Sequence, residues 1–140
     1  MSRAAHPFLQ RLQHATNDHD LEALVDCFAE GYRNETPAHP GRDFEGTAQV
    51  RSNWSQLFRF VPDIETTVLR EAADGSDVWS EWEMSGTRLD GTRHHMRGVI
   101  VFTVEGERAV AARFYLEPVD DAPSTVAQAV AAQVHADGAP

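Results

Sequence analysis

The chain has 140 residues and a formal net charge of −10, from 22 acidic and 12 basic side chains. That length holds one domain with a real core and a small-molecule pocket, and the charge disfavours nucleic acid and anionic membrane surfaces, so neither is expected as a partner. The single cysteine, Cys27, excludes an intrachain disulfide framework and a cysteine-rich zinc site.

No apolar run approaches the ~20 residues of a membrane span. The N-terminus lacks a basic-then-apolar signal layout, so a cytoplasmic location is expected. Residues 1–6 read as a flexible N-terminus. Pro7 suits a first helical turn, and Phe8, Leu9 and Leu12 have helical spacing. Asn17-Asp18-His19-Asp20 breaks that helix. Asp20 is placed to cap a second helix with the apolar stripe Leu21, Leu24, Val25 and Phe28, and Gly31 fits its end. Cys27 lies within that stripe and reads as a buried small residue rather than a reactive thiol.

Residues 32–36 suit a short strand and residues 37–41 a loop. Phe44-Glu45-Gly46-Thr47 leads into a third helix, with Thr47 as a cap and Val50, Trp54, Leu57 and Phe58 on its apolar face. Pro62 ends it, because proline disfavours helix in the residue before it. Residues 64–69 alternate as a strand, and residues 73–76 form a turn. Residues 78–117 then read as a three-stranded antiparallel meander. Its turns are Asp90-Gly91, which tolerates the positive φ of a tight hairpin, and the weaker Glu105-Gly106-Glu107. Residues 124–134 predict a helix with Ser124 as its cap. Its narrow stripe of Val126, Val130 and Val134 is expected to pack on the body or on a second subunit, with residues 136–140 frayed.

Helices segregated from a run of antiparallel strands mean α+β. A curved antiparallel sheet packed against three N-terminal helices would leave an internal pocket between the layers. The predicted division is a flexible stretch over 1–6, the domain over 7–121, and a C-terminal helix and tail over 122–140.

This order of elements resembles the nuclear transport factor 2-like superfamily, and within it the SnoaL-like group. The residues that carry the resemblance are Cys27-Phe28-Ala29, Phe44-Glu45-Gly46 before a helix with Trp54 and Phe58, and Pro62-Asp63 opening a strand. The meander adds Trp82, Gly86-Thr87, Asp90-Gly91 and Gly98-Val99, ending in Arg113-Phe114-Tyr115-Leu116-Glu117. The resemblance implies a cone-shaped barrel with an apolar pocket, commonly a homodimer through the sheet. The fold hosts isomerases, polyketide cyclases, epoxide hydrolases, dehydratases and binding domains, so it does not by itself assign an activity. In the polyketide cyclases and limonene-epoxide-hydrolase-like members, an acid near the end of the last strand is the general acid/base. Glu117 occupies the matching position, where those families carry Asp. The epoxide hydrolases also carry Arg-x-Asp on the neighbouring strand, and the turns align Glu81 and Glu83 with that pair. The missing arginine argues against faithful epoxide-hydrolase chemistry.

Strand residues alternate faces. His94, Met96, Gly98, Ile100, Phe102 and Val104 share one face, so His94 is either a core or rim histidine with a backbone partner or a pocket histidine that moves a proton or binds a polar substrate group. Arg113, Tyr115 and Glu117 share a face of the last strand, and Trp79, Glu81 and Glu83 share one on the first strand of the meander. By periodicity alone these charged faces point to solvent. The family match turns the Glu117 face to the pocket, with Glu83 as a second carboxylate. Two carboxylates in one dry site cannot both ionise easily, which would supply one acid and one base.

The expected function is therefore cofactor-free acid–base chemistry on an apolar, oxygenated or polyketide-like ligand, of the isomerase, cyclase, dehydratase or epoxide-hydrolase type. Glu117 is the candidate base, Glu83 the acid, Tyr115 a hydrogen-bond donor and His94 an auxiliary proton carrier. Trp54, Phe58, Met96, Phe102 and Arg113 are the candidate substrate contacts. The alternative is a non-catalytic ligand-binding or dimerisation domain of the same fold. His94 and His95 are adjacent on a strand and point to opposite faces, and His14 and His19 straddle a helix break, so no metal site is expected.

Overall fold

The computed structural model describes residues 5–135. Helix α1 (Pro7–Asn17) begins at Pro7 and buries Phe8, Leu9, Leu12 and Ala15. His6 is its N-cap: its Nδ1 accepts the Phe8 N–H at 3.1 Å, and its own backbone N–H donates to Glu71. His6 is thus fixed rather than loose. The expected flexibility of residues 1–4 and fraying of residues 136–140 lie outside the described residues.

The break after α1 contains His19 at φ 54. Helix α2 (Leu21–Val25) starts where Asp20 accepts the Ala23 N–H at 3.1 Å. It is shorter than expected. Phe28 and Gly31 belong instead to strand β1 (Phe28–Glu35), which pairs in parallel with the last strand, Asn34 beside Ala112. Long-range pairing here overrides a local helical spacing, and Gly31 ends no helix. Cys27 is fully buried between α2 and β1.

A 3₁₀ turn at Pro40–Arg42 leads to the short strand β2 (Phe44–Glu45) and to helix α3 (Ala48–Phe60). Thr47 occupies the N-cap position with helical φ and ψ and makes no side-chain cap bond, because an N-cap hydroxyl reaches back most readily from extended backbone. Strands β3 (Glu65–Asp74), β4 (Asp77–Thr87), β5 (Arg93–Glu105) and β6 (Arg108–Pro118) follow, with glycines at positive φ in each connecting turn. The sheet is open and curved, in the order β2-β1-β6-β5-β4-β3. Its neighbours are antiparallel except for the β1–β6 pair.

The three helices lie on the concave face. Phe8 meets Phe102 edge-on, with ring centroids 5.0 Å apart. Trp82 is buried against the same core because its indole N–H reaches Ser80 Oγ at 2.8 Å, and Ser80 in turn donates to the Ile100 carbonyl at 2.7 Å. At the other end of the core, the Thr16 and Thr66 hydroxyls share a 2.6 Å hydrogen bond, and Asn17 brackets the Thr66 backbone.

Helix α4 (Val126–Val134) is capped by Thr125, not Ser124, in a reciprocal capping box with Gln128. Its valines do not pack on the body: Val126 is 81%, Val130 49% and Val134 69% exposed. No helix among the described residues is long and apolar enough to cross a membrane.

Candidate functional site

The alternation of the meander decides the site. On β5, His94, Met96, Gly98, Ile100 and Phe102 face the helices. Opposite them on β4 stand Gly86, Met84, Trp82, Ser80 and Val78. On β6, Leu116 stands opposite Gly98 and Phe114 opposite Ile100. Gly98 permits this: at φ 154, a Cβ there would sit 2.1 Å from the Tyr115 carbonyl oxygen, so only glycine lets β6 lie this close.

Between this surface, β1 and α3 lies a cavity of about 290 Å³. Trp54, Leu57, Met84, Met96, Phe114 and Leu116 form its apolar wall. Its polar groups are few. The Tyr32 hydroxyl donates to Asn34 Oδ1 at 2.7 Å, with both residues buried, and Thr36, Asn53, Arg42 and His94 complete the set. Burial pushes the Tyr32 phenol far above its ordinary range, so it stays a neutral donor. Asn53, Leu57 and His94 are shared with an open groove of about 730 Å³ between the end of α3 and the β4–β5 turn, where Phe60, Arg88 and Asp90 also lie.

His94 is the titratable group at the junction of the two spaces. Its Nε2 is buried and has no hydrogen-bond partner among the described residues. Leaving such an atom unpaired costs about 1–3 kcal/mol, so its position needs a reason. Burial, followed by the positive charge of Arg88 and by His95, holds its pKa below the ordinary histidine value. The ring is therefore neutral at pH 7, with one nitrogen free to accept a proton.

The two predicted carboxylates are not in this cavity. Glu117 has the parity of Arg113 and Tyr115, on the convex side, and its side chain is 45% exposed. Its Oε1 is 2.8 Å from His39 Nε2. Glu83 faces the same side, with Oε2 2.8 Å from His95 Nε2 and 3.9 Å from Arg97 Nε. The His95 hydrogen bond, with a smaller contribution from Arg97, holds the Glu83 carboxyl below its ordinary range. The physical reason is register: the apolar set Ala112, Phe114 and Leu116 takes the concave side, which leaves the charged set outside.

Tyr115 is also on the outside, 42% exposed, as is Arg113, whose Nε stands 3.2 Å from Glu35. Phe102 is core, beneath the cavity rather than in its wall. Phe58 stacks on His19 at 4.8 Å and supports Trp54 from 5.6 Å. Trp54, Met96 and His94 do stand in the wall. Sequence reasoning missed the Tyr32–Asn34 pair and Arg42. The first has a signal, since Phe28, Tyr32 and Asn34 keep one parity along β1. Arg42 lies in a loop turn and has none. Among the described residues, no cluster of three or more His, Cys, Asp or Glu side chains is placed to hold a metal ion.

An open curved sheet with three helices on its concave side and a mostly apolar cavity between them is the nuclear transport factor 2-like architecture. The SnoaL-like domain model matches residues 9–112, and the chain belongs to the SnoaL-like domain family. Three of the many solved structures that share the fold are these. One is a protein with a ketosteroid isomerase-like fold from Catenulispora acidiphila in complex with trimethylamine, 16% identical, covering 98% of this chain and 100% of that one, with a TM-score of 0.69. Another, from Jannaschia sp. CCS1 and provisionally named a SnoaL-like polyketide cyclase, is 18% identical, covers 83% and 92%, and has a TM-score of 0.65. The third, an LEH-like epoxide hydrolase from M. tuberculosis, is 17% identical, covers 79% and 80%, and has a TM-score of 0.67. No curated protein matches the sequence.

Proposed function

We propose that the chain is a cofactor-free small-molecule enzyme that performs acid–base chemistry on an apolar, oxygenated substrate held in the cone cavity, with His94 as the proton carrier. The observation that carries this reading is the half-buried imidazole of His94 in the cavity wall, whose Nε2 has no hydrogen-bond partner among the described residues. A neutral imidazole there accepts a proton from carbon next to a carbonyl and returns it elsewhere, the step shared by isomerisation and aldol-type cyclisation. Asn34, whose amide oxygen accepts the Tyr32 hydroxyl, keeps its amide N–H groups as polarised donors on β1, where negative charge would develop on the substrate oxygen. Support from relatives is at the level of class: neighbours of this fold are named as cyclases, isomerases and epoxide hydrolases, and one binds a small ligand. In this scheme Glu117 and Glu83 are outer-face groups, and the proton traffic moves to His94.

The test is deuterium exchange into 2-tetralone, a compact apolar ketone, followed by NMR in buffered D2O. Wild-type protein should accelerate exchange at the carbon beside the carbonyl, and His94→Gln should abolish the acceleration while leaving the fold intact. Binding of the ketone without exchange would instead favour a non-catalytic ligand-binding domain, a reading that gains from the outer placement of both carboxylates.

A further inference from the structure

We infer that the ligand of the cone cavity is an apolar acid, a compact aromatic or alicyclic carboxylate whose carboxylate is held by Arg42. This rests on the cavity being a ligand site, as proposed above, and adds the charge of what enters it.

The chain carries ten more acidic than basic side chains, yet among the described residues no Asp or Glu lines this cavity. Arg42 does line it, and with His94 neutral it is the one cation among the described residues of the wall. The other arginines are mostly engaged. Arg11, Arg33, Arg51, Arg70, Arg97, Arg108 and Arg113 each pair with a carboxylate. Arg42 has neither an ion pair nor a side-chain hydrogen bond among the described residues, although Asp43 is its neighbour in sequence. The Asp43 carboxylate is used elsewhere: its Oδ1 accepts the Thr36 N–H at 2.8 Å, which ties the Pro40–Arg42 turn to the end of β1. The turn is therefore fixed while its guanidinium stays free at the cavity wall.

The shape of the wall gives the rest. A volume of about 290 Å³ equals that of about ten waters, enough for one or two fused rings with a small substituent. Trp54, Met84, Met96 and Phe114 offer such a ring system apolar and aromatic faces. A single planar guanidinium matches a carboxylate in two parallel hydrogen bonds, whereas a phosphate dianion would call for more cations than this wall holds. With the carboxylate on Arg42, the ring body lies over the apolar wall toward His94, on the same cavity surface.

Isothermal titration calorimetry at pH 7.5 and low salt tests this with two ligands of one shape, 2-naphthoate and 2-naphthamide, against wild-type, Arg42→Gln and Arg42→Lys proteins. The wild type should bind the naphthoate about tenfold more tightly or better, the scale of one charge-assisted contact. Arg42→Gln should bring the two ligands to within about twofold by weakening only the naphthoate, and Arg42→Lys should keep part of the preference. Arg42 is exposed and unpaired, so neither variant should alter the melting temperature. Equal wild-type affinities, or a preference that survives Arg42→Gln, would overturn the inference and leave the cavity as a ligand site. Failure of both compounds to bind at millimolar concentration would remove the inference and the ligand site together.

Discussion

Replacing Gly98 by alanine should destabilise the sheet at its centre. A Cβ at that position would stand 2.1 Å from the Tyr115 carbonyl oxygen and 2.8 Å from Leu116 Cα, both backbone atoms of β6 that cannot rotate away. Relief to ordinary contact requires β6 to withdraw by about 1 Å. That stretches ladder hydrogen bonds of about 2.9 Å beyond useful length, and two such bonds are worth about 2 kcal/mol. The backbone at φ 154 adds about 1–3 kcal/mol of strain for any residue with a side chain. The sum, about 4 kcal/mol, is a large part of the 5–15 kcal/mol typical of a domain. At about 3 °C per kcal/mol for a chain of this size, Tm should fall by about 10 °C or more. Urea unfolding followed by fluorescence of the three tryptophans measures it. Gly31→Ala is the control: nothing lies within 4 Å of the point a Cβ would occupy there and its φ is ordinary, so its stability should stay within about 0.5 kcal/mol of wild type. A Gly98→Ala melting temperature within about 3 °C of wild type would refute the close-approach argument.

Thr66→Val removes the two hydroxyl hydrogen bonds to Thr16 and Asn17 in a buried network while the Asn17 bonds to the Thr66 backbone persist, and calorimetry should show a loss of about 2 kcal/mol. His94 should make stability fall on acidification. Its folded pKa lies below the 6.5 of an unperturbed histidine, so between those two values the unfolded chain binds more protons, and stability is lost as pH falls from 6.5 through the folded pKa. Thermal melts across that window should be flatter for His94→Gln. Glu83 acts at lower pH: its depressed carboxyl stabilises the fold above 4.5 and loses that contribution as pH falls through the folded value, so Glu83→Gln should flatten the acid limb. Deleting residues 124–140 removes the exposed α4 and should move the Tm by less than about 2 °C, whereas a larger drop at high protein concentration only would show that a second copy covers its valines.

Much of the chain is legible from local chemistry. Asp20 caps α2, Pro7 opens α1, and Asp90-Gly91 turns the β4–β5 hairpin, because each is settled by backbone conformation within a few residues. The placement of His94 with Met96, Ile100 and Phe102 follows from a period of two and needs no partner strand. Phe28 shows the opposite case. Its spacing after Leu24 and Val25 suits a helix, and only pairing with β6, far later in the chain, makes it a strand residue.

The amino-acid sequence by itself determined most of the elements, the α+β order and the two sets of residues that alternate along β4, β5 and β6. Alternation separates Phe114 and Leu116 from Tyr115 and Glu117 but does not say which set is covered. That was decided in three dimensions, where the apolar stripes of α1 and α3 settle on the Trp82, Ile100 and Phe114 face and leave Glu83 and Glu117 to pair with His95 and His39 outside. Burying the apolar set removes far more nonpolar surface from water than the charged set could, and the charged set keeps its hydration. Arg42 reaches the cavity wall because a 3₁₀ turn tied by Asp43 to Thr36 folds back over the end of β1, a loop geometry that no periodic pattern encodes.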